Sequence, residues 1–261
     1  MFLQKLSLSI FKNYTKAELI FSEKINCFIG NNGAGKTNIL DAIYYLSFCK
    51  SYFNSVDSQN IKHDRDFFAI HGTYQNQENS ADKVSCIQKR QSKKVFKLNR
   101  KTYTRLADHI GIIPLVMISP YDRDLINDGS ELRRKYINGV ISQFDRIYLN
   151  DLINYNKSLL QRNTLLKHMF SERYFDEAAL EIWNETLIQH GESIFEKREK
   201  FLNEFNPLFE EYYGFLAGSK EKVKVSYESQ LHENEFKDLL NQSIERDRIS
   251  RFTTVGIHKD D

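Results

Sequence analysis

Eight consecutive residues, Gly30-Asn31-Asn32-Gly33-Ala34-Gly35-Lys36-Thr37, match the spacing G-x-x-x-x-G-K-[ST] of a phosphate-binding loop without substitution. Each residue type has a task. Gly30, Gly33 and Gly35 let the backbone turn tightly and bring its N–H groups against phosphate oxygens with no Cβ in the way. A helix starting near Lys36 aims unpaired N–H groups and the positive end of its dipole at the same anion. Lys36 is spaced to reach the β- and γ-phosphates of a nucleoside triphosphate, and the Thr37 hydroxyl to ligate Mg2+; ATP and Mg2+ are the expected cofactors.

Hydrolysis asks for a second, acidic site at the end of an apolar strand, to hold the metal and position water. The best apolar run, Ile112 to Ile118, ends in Ser119-Pro120, with Asp122 and Asp124 only beyond the proline. An L-S-G-G-Q-like signature is absent, and no Ser/His/Asp or metal-ligand cluster competes. His258, beside Asp260 and Asp261, reads as structural. The hydrolytic machinery is half present, and no catalytic residue is assigned within the chain.

The loop needs a strand before it and a helix after it. Ile25 to Ile29 reads as a short buried strand, and Asn38 to Leu46 has apolar residues at helical spacing. Leu3 to Phe11 and Ala17 to Phe21 alternate as two earlier strands, with Asn13-Tyr14 as turn material. Three strands thus precede the first helix, an antiparallel layer typical of ATPase heads of the ABC type. Phe67 to Tyr74, Val84 to Gln88 and Lys94 to Leu98 read as three more strands, with Gln75 to Asp82 as a hairpin connection. The run 112–118 has the continuous apolar character of a strand buried on both faces.

Beyond Pro120 the texture becomes helical. Leu152/Ile153, Leu159/Leu160, Leu165/Leu166 and Met169/Phe170 form one apolar stripe; Leu180, Trp183, Leu187, Ile194/Phe195, Phe201/Leu202 and Phe205 form another. Two long helices joined around Ser171 to Asp176 make an antiparallel hairpin. Lys222 to Tyr227 alternates as a returning strand. The fold class expected is α/β, a P-loop head of the ABC/SMC type with an antiparallel β layer and an inserted helical lobe. Residues 1–129 are the head, 130–215 the lobe, and 216–261 a return to the head.

Hydrophobic content of 41% and charged content of 28% describe a globular chain. No apolar run approaches a membrane span, and residues 1–6 lack signal-peptide architecture. Three cysteines without C-x-x-C spacing argue against a disulfide framework or zinc, so the expected location is a reducing cytoplasm. A net charge of +2 excludes nothing by itself.

With these residues assembled, the chain resembles the RecF family of bacterial recombination mediators, whose heads are similar to ABC and SMC ATPases. Phe11-Lys12-Asn13-Tyr14 matches the family's F-R-N-Y, and Gly33 to Tyr44 its G-x-G-K-T-N-L-L-E-A-I-Y. Ser119-Pro120 with Asp122 resembles S-P-E-D-L, departing at Tyr121 and Arg123. Arg133 to Asn138 resembles R-R-x-F-L-D, and Leu160 to Lys167 resembles L-x-Q-R-N-x-L-L-K. Gly256 to Asp261 resembles G-P-H-R-D-D, with Pro and Arg changed. The likeness runs along the whole chain in family order.

It implies a cytoplasmic, ATP-dependent DNA-binding protein of recombinational repair, replication restart and the SOS response. ATP-driven dimerisation of heads would clamp duplex DNA, with RecR and RecO-type mediators as partners. The resemblance further implies that the signature and Walker B carboxylates lie beyond Asp261, the chain being a portion of a weak DNA-dependent ATPase. Arg133 and Arg134, opening a predicted helix, are the candidate DNA contacts, against the reading of a solvated face that also covers Lys157, Arg162 and Lys167, while Gln161-Arg162-Asn163 reads equally as a buried polar network tying helix to head. Two alternatives stand beside this: a nucleotide-binding module without turnover, and an unrelated P-loop protein such as a transporter ATPase subunit or small-molecule kinase.

Overall fold

The computed structural model describes residues 1–261 except 77–79 and 219–220, so the tip of the connection read between Gln75 and Asp82 lies outside the described residues. The chain divides into two compact units, Met1–Met117 and Ile118–Asp261. Residues 216–261 fall in the same unit as 130–215.

The first unit is built on a six-stranded sheet. β1 (Phe2–Ser9), β2 (Lys16–Ile20), β3 (Phe67–Gln75), β4 (Ala81–Lys89), β5 (Val95–Leu98) and β6 (Lys101–Thr102) lie in the order β2-β1-β3-β4-β5-β6, every neighbour antiparallel. Alternation decides the faces. Leu6, Leu8, Phe68, Ile70, Val84, Cys86 and Phe96 point to one side and are buried, while Lys5, His71, Lys83 and Lys89 point to the other and are exposed. Helix α1 (Lys36–Phe48) covers the apolar side with Ile39, Ala42, Tyr45 and Leu46. Phe11, Tyr45 and Phe68 meet edge to face with ring centroids 5.2 to 6.4 Å apart, an arrangement worth about 0.5–1.5 kcal/mol per pair.

The second unit is helical. After a short turn of helix, α2 (Asp124–Asn127), come α3 (Ser130–Ile141), α4 (Arg146–Ser171), α5 (Glu177–Ala217) and α6 (Phe236–Ser250). The carboxylate of Asp145 accepts from Tyr148 N at 2.8 Å and that of Asp176 from Ala179 N at 3.1 Å, capping α4 and α5. The two form the antiparallel hairpin that the stripes predict. Leu180, Leu187, Ile194 and Leu202 of α5 are buried, as are Leu166 and Met169 of α4, whereas Ile153, Leu160 and Phe170 are exposed. Phe236 and Leu240 of α6, with Val255 and Ile257, close this core.

Three segments read as strands are not strands. Ile25 to Ile29 belongs to no sheet, and Ile25 and Ile29 are 80% and 95% exposed. A local turn competes there: Asn26 Oδ1 accepts Ser22 N, Asn26 Nδ2 donates to Ser22 O, and Ser22 Oγ donates to Ile25 O. The run 112–118 likewise joins no ladder, with Val116 73% exposed and the Ile113 carbonyl taken by Ser47 Oγ at 2.5 Å. Lys222 to Tyr227 is irregular because the Asn206 amide takes both the N–H and the C=O of Val225. An apolar or alternating pattern offers a face; only a neighbouring backbone makes a strand.

Candidate nucleotide-binding site

Gly30 to Thr37 forms a loop running into the N-terminus of α1, as its spacing predicts. Gly33 and Gly35 take φ of +80° and +103°, a region L side chains rarely adopt. Gly35 is required for a second reason: a Cβ there would lie 2.7 Å from Asn13 Nδ2 and 2.9 Å from the Tyr14 ring. The loop is drawn this close because Asn13 braces it. Asn38 Nδ2 donates to Asn13 Oδ1 at 2.8 Å, and Asn13 Nδ2 reaches Gly33 O at 3.5 Å.

The turn that carries Asn13 is itself held from below. Lys12 Nζ lies 2.6 Å from Asp41 Oδ2, a carboxylate with no exposed surface that also accepts from Ser51 Oγ and Tyr52 N at 2.7 Å. Lys62 Nζ donates to Thr15 Oγ1 at 2.5 Å and to Asn13 O at 3.3 Å. The Phe11-Lys12-Asn13-Tyr14 stretch is therefore the second half of the site. Its residue types alone gave no contact; only its match to a family motif marked it. The loop 50–55 is tied to α1 through Ser51 and Asp41.

The loop's polar groups divide into two sets. Ala34 N is spent on Asn31 O, and Asn38 N and Ile39 N on Gly35 O. Among the described residues, nothing engages the N–H groups of Gly33, Gly35, Lys36 and Thr37 or the Thr37 hydroxyl. Lys36 Nζ rests on the carbonyls of Gly30 and Asn31 at 2.7 and 2.9 Å, a pair of neutral acceptors that an anion readily replaces. Unengaged amides at a helix N-terminus, a glycine cradle and one cation make a site whose residues fit polyphosphate. The Thr37 hydroxyl is the side-chain oxygen that would face a bound Mg2+, whose remaining shell would come from phosphate and water.

The other candidate residues sit in the helical unit. Asp122 caps its own turn, accepting Ser119 N at 2.8 Å, and Asp124 lies 3.7 Å from Arg123. Arg133 grips Asp261 with Nε and Nη2 at 2.5 and 2.8 Å, and its Nη1 donates to Leu125 O and Asp128 O. Arg134 donates to Asp260 O. Arg162 is fully buried on Asn184, Asp247 and Thr253 at 2.7–2.9 Å. Arg198 binds Tyr148, Asp260, Asn138 and the Ile257 carbonyl at 3.0–3.2 Å. His258 faces Thr253 O through Nε2, so that nitrogen carries the proton and Nδ1 accepts from Tyr155 Oη at 2.7 Å. Burial pushes the imidazole down to about 4. Among the described residues, no helix is long and apolar enough to cross a membrane.

Known proteins resemble this chain along its length. A family model described as "RecF/RecN/SMC N terminal domain" matches residues 2–122. The protein named "DNA replication and repair protein RecF" of Phocaeicola vulgatus is 50% identical over 261 residues, covering all of this chain and 70% of that protein. The one so named in Flavobacterium johnsoniae is also 50% identical, with 72% of its length covered. A solved structure described as the recombination mediator protein RecF with ATP in the RecFOR pathway superposes with a TM-score of 0.92 at 30% identity, covering 99% of this chain and 71% of that one.

Proposed function

The chain belongs to the RecF family, and from that membership we propose that it is an ATP-binding component of DNA replication and repair acting on duplex DNA. The observation that carries the ATP reading is the set of unengaged amides of Gly33, Gly35, Lys36 and Thr37 beside a lysine resting only on carbonyls. Gly30 to Gly35 cradle the polyphosphate, Lys36 moves from the Gly30 and Asn31 carbonyls onto phosphate oxygen, and Thr37 offers its hydroxyl to Mg2+. Asn13 braces the loop through Asn38 and the Gly33 carbonyl. Bound ATP supplies a charged bridge through which two heads associate and close on DNA, with RecR and RecO-type mediators as partners in the bacterial cytoplasm. DNA is held through its phosphates, so binding is salt-sensitive and weakly dependent on sequence.

Titration with a fluorescent ATP analogue tests this reading. Lys36→Ala removes a charged hydrogen-bond donor worth about 1.5–3 kcal/mol, so affinity falls roughly ten- to a hundredfold. Equal binding by the two proteins overturns it.

A further inference from the structure

Charge is divided unequally between the two units. Residues 1–117 hold 17 Lys and Arg against 9 Asp and Glu, while 118–261 hold 20 against 26. The chain's net +2 conceals a sheet unit of +8 and a helical unit of −6. Within the sheet unit the excess is concentrated again. Residues 81–101, the β4-β5-β6 edge, carry eight Lys and Arg and a single acid, Asp82, whose carboxylate is taken by Asn99 Nδ2 at 2.7 Å.

The pleat sorts these cations. Val84, Cys86 and Gln88 of β4 and Phe96 of β5 are buried, which places Lys83, Lys89 and Lys97 on the opposite, uncovered face. The register sets Lys97 opposite Ser85 and Ser85 opposite His71, while Lys83 lies opposite Thr73, so the strand neighbours of these two lysines on that face carry no acid. At about 3.4 Å per residue, Lys83 and Lys89 stand roughly 20 Å apart along β4. Two half-buried lysines of this unit are neutralised, Lys12 by Asp41 and Lys94 by Asp57. Lys83, Lys89 and Lys97 are in no ion pair among the described residues.

We propose that the open face of the sheet, centred on Lys83, Lys89 and Lys97, is the surface that receives the phosphate backbone of duplex DNA. The inference rests on the DNA reading above and relocates its contact. Arg133 and Arg134 belong to the acidic unit and direct their guanidinium donors to Asp261, Asp260 and backbone carbonyls. A cationic face suits a polyanion with one charge per 3.4 Å of each strand, and it reads backbone rather than bases.

The experiment compares three proteins in anisotropy titrations with a labelled duplex, from about 50 to 200 mM salt: wild type, a triple Lys83→Gln/Lys89→Gln/Lys97→Gln variant, and a triple Lys157→Gln/Lys167→Gln/Lys237→Gln control on exposed positions of the helical unit. Circular dichroism and ATP-analogue binding confirm that each is folded. The sheet variant should lose at least about tenfold in affinity and about two to three units of log–log salt slope, at ~0.9 per phosphate contact. The control should match wild type, and a Lys→Arg triple on the sheet should restore binding. Wild-type affinity in the sheet variant overturns the location while leaving the DNA reading standing. No duplex binding by wild type overturns both. Displacement of duplex by poly-glutamate at equal charge concentration overturns the proposal in favour of an acidic protein partner.

Discussion

Lys36 and Arg198 are both cations set among polar groups, yet the two regions that hold them are built to opposite ends. Around Lys36 the fold spends its hydrogen bonds on the frame, through Asn13, Asn38 and Asp41, and leaves amides and one ammonium turned outward. Around Arg198 and Arg162 the donors turn inward, onto Asp260, Asp247, Asn184, Asn138 and Tyr148. Both regions carry family-like motifs. One motif spells a ligand site and the other an internal clamp that ties α3, α4, α5 and α6 to the last nine residues. Residue type does not separate them; the number of unspent donors does.

The sharpest way to break that contrast is to remove a clamp. Arg162→Ala leaves the Asp247 carboxylate buried without its cation, and should cost the helical unit about 3–5 kcal/mol. Denaturant titration followed through Trp183, the single tryptophan and a residue of α5, reads this unit directly. Lys36→Ala, by contrast, should leave the same midpoint unchanged while weakening nucleotide. Equal stability loss in the two variants would erase the distinction between site and clamp.

Acid should sharpen it next. His258 is held neutral by burial, with a pKa near 4 against an ordinary 6.5, and the positive charges of Lys259 and Arg134 push the same way. Between pH ~6.5 and ~4 the unfolded chain takes up the proton and the native one does not, so stability falls as pH falls through that window and levels off below it. The full effect is about 3 kcal/mol, at 1.36 kcal/mol per pKa unit. His258→Gln should flatten the wild-type dependence of the Trp183 midpoint over this range; an unchanged slope would place the titration elsewhere.

The smallest expected effect lies in the frame of the site. Gly35→Ala puts a Cβ at a φ of +103° and against Asn13, for about 1–2 kcal/mol of strain. Nucleotide affinity should drop severalfold although no phosphate-contacting side chain is lost. Wild-type affinity in this variant would show that the Asn13 brace has no bearing on the loop.

Much of this was legible in the residues. The loop 30–37 and the helix after it are local: glycines permit the turn, and a run of N–H groups at a helix start follows from covalent geometry. The strands of the antiparallel sheet and the α4–α5 hairpin follow from periods of 2 and 3.6 in adjacent sequence. Segments 25–29, 112–118 and 222–227 misled because their patterns match strands, while strand formation depends on a partner backbone that the segment does not contain.

The phosphate-binding loop, the antiparallel layer and the helical hairpin are each written in contiguous residues. Which charges remain available is settled by contacts distant in sequence. Arg133 and Arg134 look like a surface pair until Asp260 and Asp261, more than a hundred residues away, close on them. Lys83, Lys89 and Lys97 look unremarkable until the pleat places them on one uncovered face. Availability is a property of partners, and partners are chosen by folding across long separations rather than by spacing along the chain.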